Sequence, residues 1–147
     1  MGVEENKALV RRLIEDVWNG GQLHLLDDMF AEGTTLTVGG RTSPPGGPAQ
    51  VRAVVAHWRS AFPDFHFELA DLIAEGDRVV VRVPFTGTQT GRLMDIGPTG
   101  RTVRVAEILI LRIQDGRIAE GWEEFDELGM RLQLGVLPPP GWPSAAE

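Results

Sequence analysis

Three carboxylates around one tight turn are the residues best placed, by type and spacing, to move protons. Asp115-Gly116 is a two-residue hairpin signal, because a type I′ turn needs positive φ at both central positions. With those two at the turn, Gln114 pairs with Arg117, Leu111 with Glu120, Leu109 with Trp122, Glu107 with Glu124 and Val105 with Asp126. Side chains alternate along a strand, so the four pairs from Leu111–Glu120 outward share one face. Glu107 and Glu124 then stand opposite each other, with Asp126 diagonal to Glu107 at about 7–8 Å between backbones. Like charges so placed repel unless one takes a proton or a ligand. Leu109 and Trp122 add an apolar surround, which raises a carboxyl pKa toward the range useful for general acid–base work. Asp126 is the expected acid–base group and Glu107 its charged neighbour, with Glu124, Trp122 and Leu109 beside them. Two other readings stay open. The glutamates equally suit a solvated face, and Asp126 equally suits the N-cap of a helix starting at Glu127. A bulge in the last strand would shift the register and separate the set.

Other side chains divide between chemistry and packing. Trp18, Trp58 and Trp122 suit the core, and each can double as a flat apolar pocket wall. His57 flanks an apolar stripe beside Trp58, within reach of a cavity, while a boundary histidine is the simpler account. His66 shares a face with Glu68 and reads as a wall or solvated residue. With no cysteine, three dispersed histidines and no His-x-x-x-His or Glu-x-x-His spacing, no metal site is expected. Gly97-Pro98-Thr99-Gly100 lacks the Gly-Lys-Ser/Thr ending of a phosphate loop. Arg112 reads as an ion-pair partner near the hairpin.

These residues must be held by elements of two kinds. Leu9, Val10, Leu13, Ile14, Val17 and Trp18 recur at helical spacing over Glu4–Asn19, and Gly20-Gly21 ends the run. A short helix is expected near Gln22–Phe30, a strand at Thr34–Val38, and a third helix from Pro48 to Pro63 carrying Val51, Val54, Val55, Trp58 and Phe62. Alternating segments follow at Phe65–Ala74, Arg78–Thr88, Arg101–Ile113 and Arg117–Asp126, then a helical turn at Glu127–Leu134. Helices followed by an antiparallel meander predict an α+β fold. Its curved sheet, covered by about three helices, leaves a ligand pocket between the layers.

A chain of 147 residues fits one domain, expected over residues 1–136, with a Pro-rich tail at 137–147. A net charge of −7 argues against nucleic acid, whose binding draws on many phosphate contacts from Lys and Arg. Apolar runs such as Ile108–Leu111 are too short to span a bilayer, and the N-terminus opens into a charged helix pattern, so a cytoplasmic protein is expected. Ile108, Ile110 and Phe125 fall on the face opposite the carboxylates, where a second subunit would cover them in a homodimer or larger assembly.

Asn6–Val10, Val17-Trp18-Asn19 and Asp27–Phe30 resemble the first helices of the nuclear transport factor 2-like superfamily. Phe62-Pro63-Asp64, Gly97-Pro98-Thr99-Gly100, Asp115-Gly116-Arg117-Ile118, Trp122, Asp126 and Gln133-Leu134-Gly135 resemble its SnoaL-like polyketide (ester) cyclases. The resemblance implies a cone-shaped fold and cofactor-independent aldol ring closure on an apolar polycyclic substrate, with Asp126 carried over as the acid–base residue. Gln89 stands where many members carry histidine; it can donate a hydrogen bond to an oxyanion but does not shuttle protons. The same superfamily hosts isomerases, epoxide hydrolases, hydroxylase partners and non-catalytic binders of small molecules, and the fold alone does not choose among them.

Overall fold

The computed structural model describes residues 2–137, so the expected tail lies outside the described residues apart from Leu137. Helix α1 covers Val3–Arg12, and its apolar stripe continues through a π-helical segment, Leu13–Asn19, where an uninterrupted α-helix was expected. A 3₁₀ turn at Leu23–Leu25 leads into α2, Leu26–Met29, and on to strand β1, Phe30–Val38. Strand β2, Arg41–Thr42, turns back along β1 before α3, Pro48–Ala61, which carries Pro48 in its first turn.

The second half is a sheet folded on itself. Strands β3 (His66–Phe67), β4 (Asp71–Glu75), β5 (Arg78–Arg82), β6 (Phe85–Thr88), β7 (Thr102–Val105), β8 (Glu107–Gln114) and β9 (Arg117–Phe125) follow in order. Six strands run β2-β1-β9-β8-β5-β4, and three more run β3-β6-β7. All pairs are antiparallel except β1 with β9, which is parallel.

Two segments read as single long strands, Arg78–Thr88 and Arg101–Ile113, are broken at the same level. Pro84, which has no N–H to give the ladder, separates β5 from β6, and Ala106 separates β7 from β8. The ladder continues across the break: Val83 N–H donates to the Glu107 carbonyl (2.9 Å) and Asp126 N–H to the Ala106 carbonyl (3.0 Å). The sheet therefore bends sharply there, and Glu107 sits at the bend.

Among the described residues four helices, one more than expected, meet this sheet. The last, α4 (Glu127–Leu134), is a full helix that docks on β7, where the Gln133 amide exchanges two hydrogen bonds with the Arg104 backbone (2.7 and 2.9 Å). The core joins α1, α2 and α3 to the inner sheet face through residues such as Val10, Ile14, Val55, Val79, Val81 and Ile118.

The register of β8 with β9 departs from the simple hairpin. Gln114 pairs with Arg117 and Ile113 with Ile118, but Arg112 then pairs with Glu120, leaving Ala119 as an extra residue. This is a β-bulge, and one extra residue exchanges the two faces of the strand beyond it. The buried Thr34 hydroxyl supports it, reaching the Ile118 carbonyl at 2.9 Å and the Ala31 carbonyl at 2.6 Å. Beyond the bulge Leu109 pairs with Glu123, Ile108 with Glu124 and Glu107 with Phe125. Trp122 and Glu124 therefore lie on the outer face, where the Arg78 guanidinium stands 5.0 Å above the Trp122 ring. Phe125, expected outside, is inside. Arg112 does form the expected ion pair, with Glu120 at 3.1 Å.

Candidate active site

Two adjoining hollows open between the inner sheet face and the helices. Trp18, Phe67, Glu107 and Glu123 line both. One hollow is completed by aromatic rings, Trp58, Phe65, Phe85 and Phe125. The other is completed by Leu13, Phe30, Leu36, Val51, Leu109 and Leu111. They enclose about 220 and 420 Å³ of non-atom space, open mouths included. In the first, the rings pack on one another and leave little free room. Trp58 meets Phe125 edge-on at 5.8 Å and 88°, and both are half-buried, so this pair closes the aromatic hollow.

Local sequence explains each wall. Trp58 projects from α3 on the same side as Val51 and Val55. Glu107, Leu109 and Leu111 alternate inward from β8, and Gly121, Glu123 and Phe125 do so from β9. Gly121 lets the Leu36 and Leu111 methyls close over the strand: a Cβ there would lie 3.0 and 3.1 Å from them.

The carboxyl pair is the polar feature of this cavity. Glu107 is 4% exposed. Burial, followed by a hydrogen bond that the protonated Glu107 donates to the neighbouring Glu123 carboxyl and by the charge of that carboxyl, holds the Glu107 pKa well above the ordinary glutamate value of 4.5. A carboxyl group that holds its proton more tightly than usual can donate a hydrogen bond or a proton, and a second carboxyl group beside it can accept one.

Four of the residues expected from sequence therefore meet at the cavity: Glu107, Trp18, Trp58 and Leu109. The others lie elsewhere. The Asp126 environment differs from the apolar one expected: the residue is exposed and caps α4, its carboxylate accepting the Gly129 N–H at 2.8 Å. Trp122 and Glu124 are outside because of the Ala119 bulge. Gln89 is fully buried but lines neither hollow; it organises the 91–100 loop, accepting from the Thr99 hydroxyl (2.7 Å) and donating to the carbonyls of Gly91 and Gly97 (3.1 Å each). His57 Nε2 accepts the Met94 N–H at 3.2 Å, tying α3 to the same loop. Sequence reasoning missed Glu123 and Phe125. The available signal was parity: Ile118 and Phe125 are both apolar yet an odd number of residues apart, which a regular strand does not allow on one face.

Among the described residues no group of three His, Cys, Asp or Glu side chains is arranged to hold a metal ion, and no helix is long and apolar enough to cross a membrane.

A curved sheet wrapped on helices, with a carboxyl pair on its inner face, defines a cone-type α+β fold. Comparison with known proteins narrows the class. Residues 8–134 match the family model of SnoaL-like polyketide cyclases, and the chain belongs to that family. It is 31% identical over 141 residues to the aklanonic acid methyl ester cyclase DnrD of Streptomyces peucetius, covering 91% of this chain and 94% of that one. Among solved structures it resembles TsrD from Streptomyces laurentii, at 31% identity and a TM-score of 0.83, over 93% of this chain and 99% of that one. AclR from Streptomyces galilaeus is similar at 26% identity and a TM-score of 0.82, over 95% and 87% of the two chains.

Proposed function

We propose that this protein is a polyketide cyclase-like enzyme. It closes a ring by an intramolecular aldol-type reaction on an apolar polycyclic substrate, with Glu107 and Glu123 as the acid–base pair. The observation that carries this reading is the buried Glu107 carboxyl, its pKa raised, beside Glu123 where the two hollows meet. The relative DnrD is, by its name, a cyclase of aklanonic acid methyl ester, which supports a ring-closing reaction.

The step balances without a co-reactant. The Glu123 carboxylate takes the activated C–H proton, and the electron pair moves into the adjacent carbonyl as an enolate. The enolate carbon attacks a second carbonyl of the same molecule. The oxygen formed takes the proton of Glu107, and the proton now on Glu123 passes across the hydrogen bond to restore Glu107. Substrate and product are isomers. Since the substrate carbonyl itself delocalises the charge, the reaction calls for no metal or redox cofactor. Asp126, engaged at the α4 cap, supports this acid–base pair only through the fold.

The protein acts in this proposal as a cytoplasmic homodimer, assembled through the outer sheet face. Ile73 and Ile108 are 61% and 47% exposed there, with Val80 and Ile110 beside them.

The test is conversion of aklanonic acid methyl ester, together with deuterium wash-in at its activated C–H in heavy water. Wild type is expected to accelerate both, and Glu107→Gln and Glu123→Gln to lose the acceleration. Binding without exchange or ring closure above the uncatalysed rate would replace the enzyme reading by a small-molecule binder.

A further inference from the structure

Two polar side chains next to the site take no part in the proposed chemistry, yet they spend all their hydrogen bonds on its walls. The Asn19 amide grips the backbone of Phe67 from both sides: Nδ2 donates to the Phe67 carbonyl at 2.9 Å, and Oδ1 accepts the Phe67 N–H at 2.7 Å. Arg59 Nη1, reaching across from α3, donates to the carbonyls of Trp18 (2.6 Å) and Asn19 (3.1 Å). Those carbonyls end the Leu13–Asn19 π-helical segment and have no partner within it. Gly21, at φ 72°, leaves the guanidinium its space, since a Cβ there would lie 2.9 Å from Nη2.

A π-helical segment is a rare and weakly bonded conformation that concentrates at functional sites. This one is bonded from outside, at its last two residues. The residues so fixed, Trp18 and Phe67, are two of the four that line both hollows; the other two are Glu107 and Glu123. Their rings meet edge-on at 5.2 Å and 67°.

We propose that Asn19 and Arg59 are positioning residues of the active site. By clamping the end of the π-helical segment to β3 and α3, they set the Trp18 indole relative to the carboxyl pair, and so decide which substrate carbon is presented to Glu123. This rests on the cavity being the active site, as proposed above.

The test labels the whole chain with 5-fluorotryptophan and assigns the Trp18 fluorine resonance by Trp18→Phe. In Asn19→Asp, which keeps size but turns a donor into an acceptor facing the Phe67 carbonyl, the Trp18 resonance is expected to shift or broaden while that of Trp122, on the outer face, stays. The affinity for the neutral probe N-phenyl-1-naphthylamine is expected to fall by up to about tenfold, the worth of one or two hydrogen bonds. Arg59→Lys, which no longer spans two carbonyls, is expected to do the same, and carries the test if Asn19→Asp does not fold. Gln133→Ala removes the two hydrogen bonds between α4 and β7, away from both hollows, and is expected to leave the Trp18 resonance in place. An unmoved Trp18 resonance in a folded clamp variant, or an equal shift in Gln133→Ala, overturns the proposal. The catalytic reading fails separately, if Glu123→Gln keeps wild-type deuterium exchange.

Discussion

Glu107 stands opposite Phe125 on the inner face of the β8–β9 ladder, with Glu123 as its diagonal neighbour. Diagonal pairs lie about 7–8 Å apart at the backbone, within reach of two glutamate side chains. This spacing lets the carboxyls meet while leaving Phe125 to shield one side. A buried acid is costly to a fold, and the cost has a measurable signature.

Glu107→Gln is expected to stabilise the protein at neutral pH. The Glu107 pKa is raised in the folded state, so between the ordinary value of 4.5 and the folded value the native protein holds a proton that the unfolded chain has released. Stability therefore falls as pH rises through that window, by about 1.4 kcal/mol for each pH unit it spans. Urea unfolding of wild type and Glu107→Gln from pH 4 to pH 8 should diverge, with the variant increasingly the more stable. Parallel curves would mean that Glu107 is not held protonated.

Asp126 and Glu123 should separate cleanly. Asp126→Ala removes the α4 cap and is expected to cost about 0.5–2 kcal/mol of stability, with turnover within about twofold of wild type below the melting transition. Glu123→Gln is expected to lose about 10²–10⁴-fold in turnover with little loss of ligand affinity. Single-turnover conversion and thermal melts on both variants check this, and loss of turnover in Asp126→Ala would return the acid–base role to that residue.

Ligand charge gives a third check. The polar groups shared by both hollows are the two glutamates. Methyl 2-naphthoate is expected to bind more tightly than 2-naphthoate by tenfold or more, since a second carboxylate beside Glu123 meets like charge in a poorly solvated place. Tryptophan quenching measures both, and equal affinities would place the ligand outside the cavity.

The outer face predicts assembly. Sedimentation at micromolar concentration should give a dimer or larger species, and Ile73→Glu with Ile108→Glu should give monomer without loss of fold. A monomeric wild type removes the homodimer from the proposal.

Much of the fold was legible because its determinants are local. The apolar stripe of α1, Pro48 at the start of α3 and the Asp115-Gly116 turn all stand where the pattern puts them. The parallel pairing of β1 with β9 and the breaks at Pro84 and Ala106 depend on contacts across the chain, although Pro84 was a local warning against one long strand. The site was legible in part for the same reason. Glu107 and Leu109 precede the bulge on a regular strand and were placed correctly, whereas every β9 residue beyond Ala119 was assigned to the wrong face. Ala119 has no side-chain chemistry that announces a bulge; the buried Thr34 hydroxyl that supports it lies on another strand.

That bulge gives β9 one residue its pairing does not need. Deleting Ala119 alone would leave Ile113 opposite Ile118, Arg112 opposite Glu120 and Glu107 opposite Phe125, so Glu123 and Phe125 would still point inward. Lineages descending from this sequence can thus shed a residue between Ile118 and Glu120 and keep the acid pair together. Losing one further along, such as Trp122, with the bulge in place would turn Glu123 and Phe125 outward.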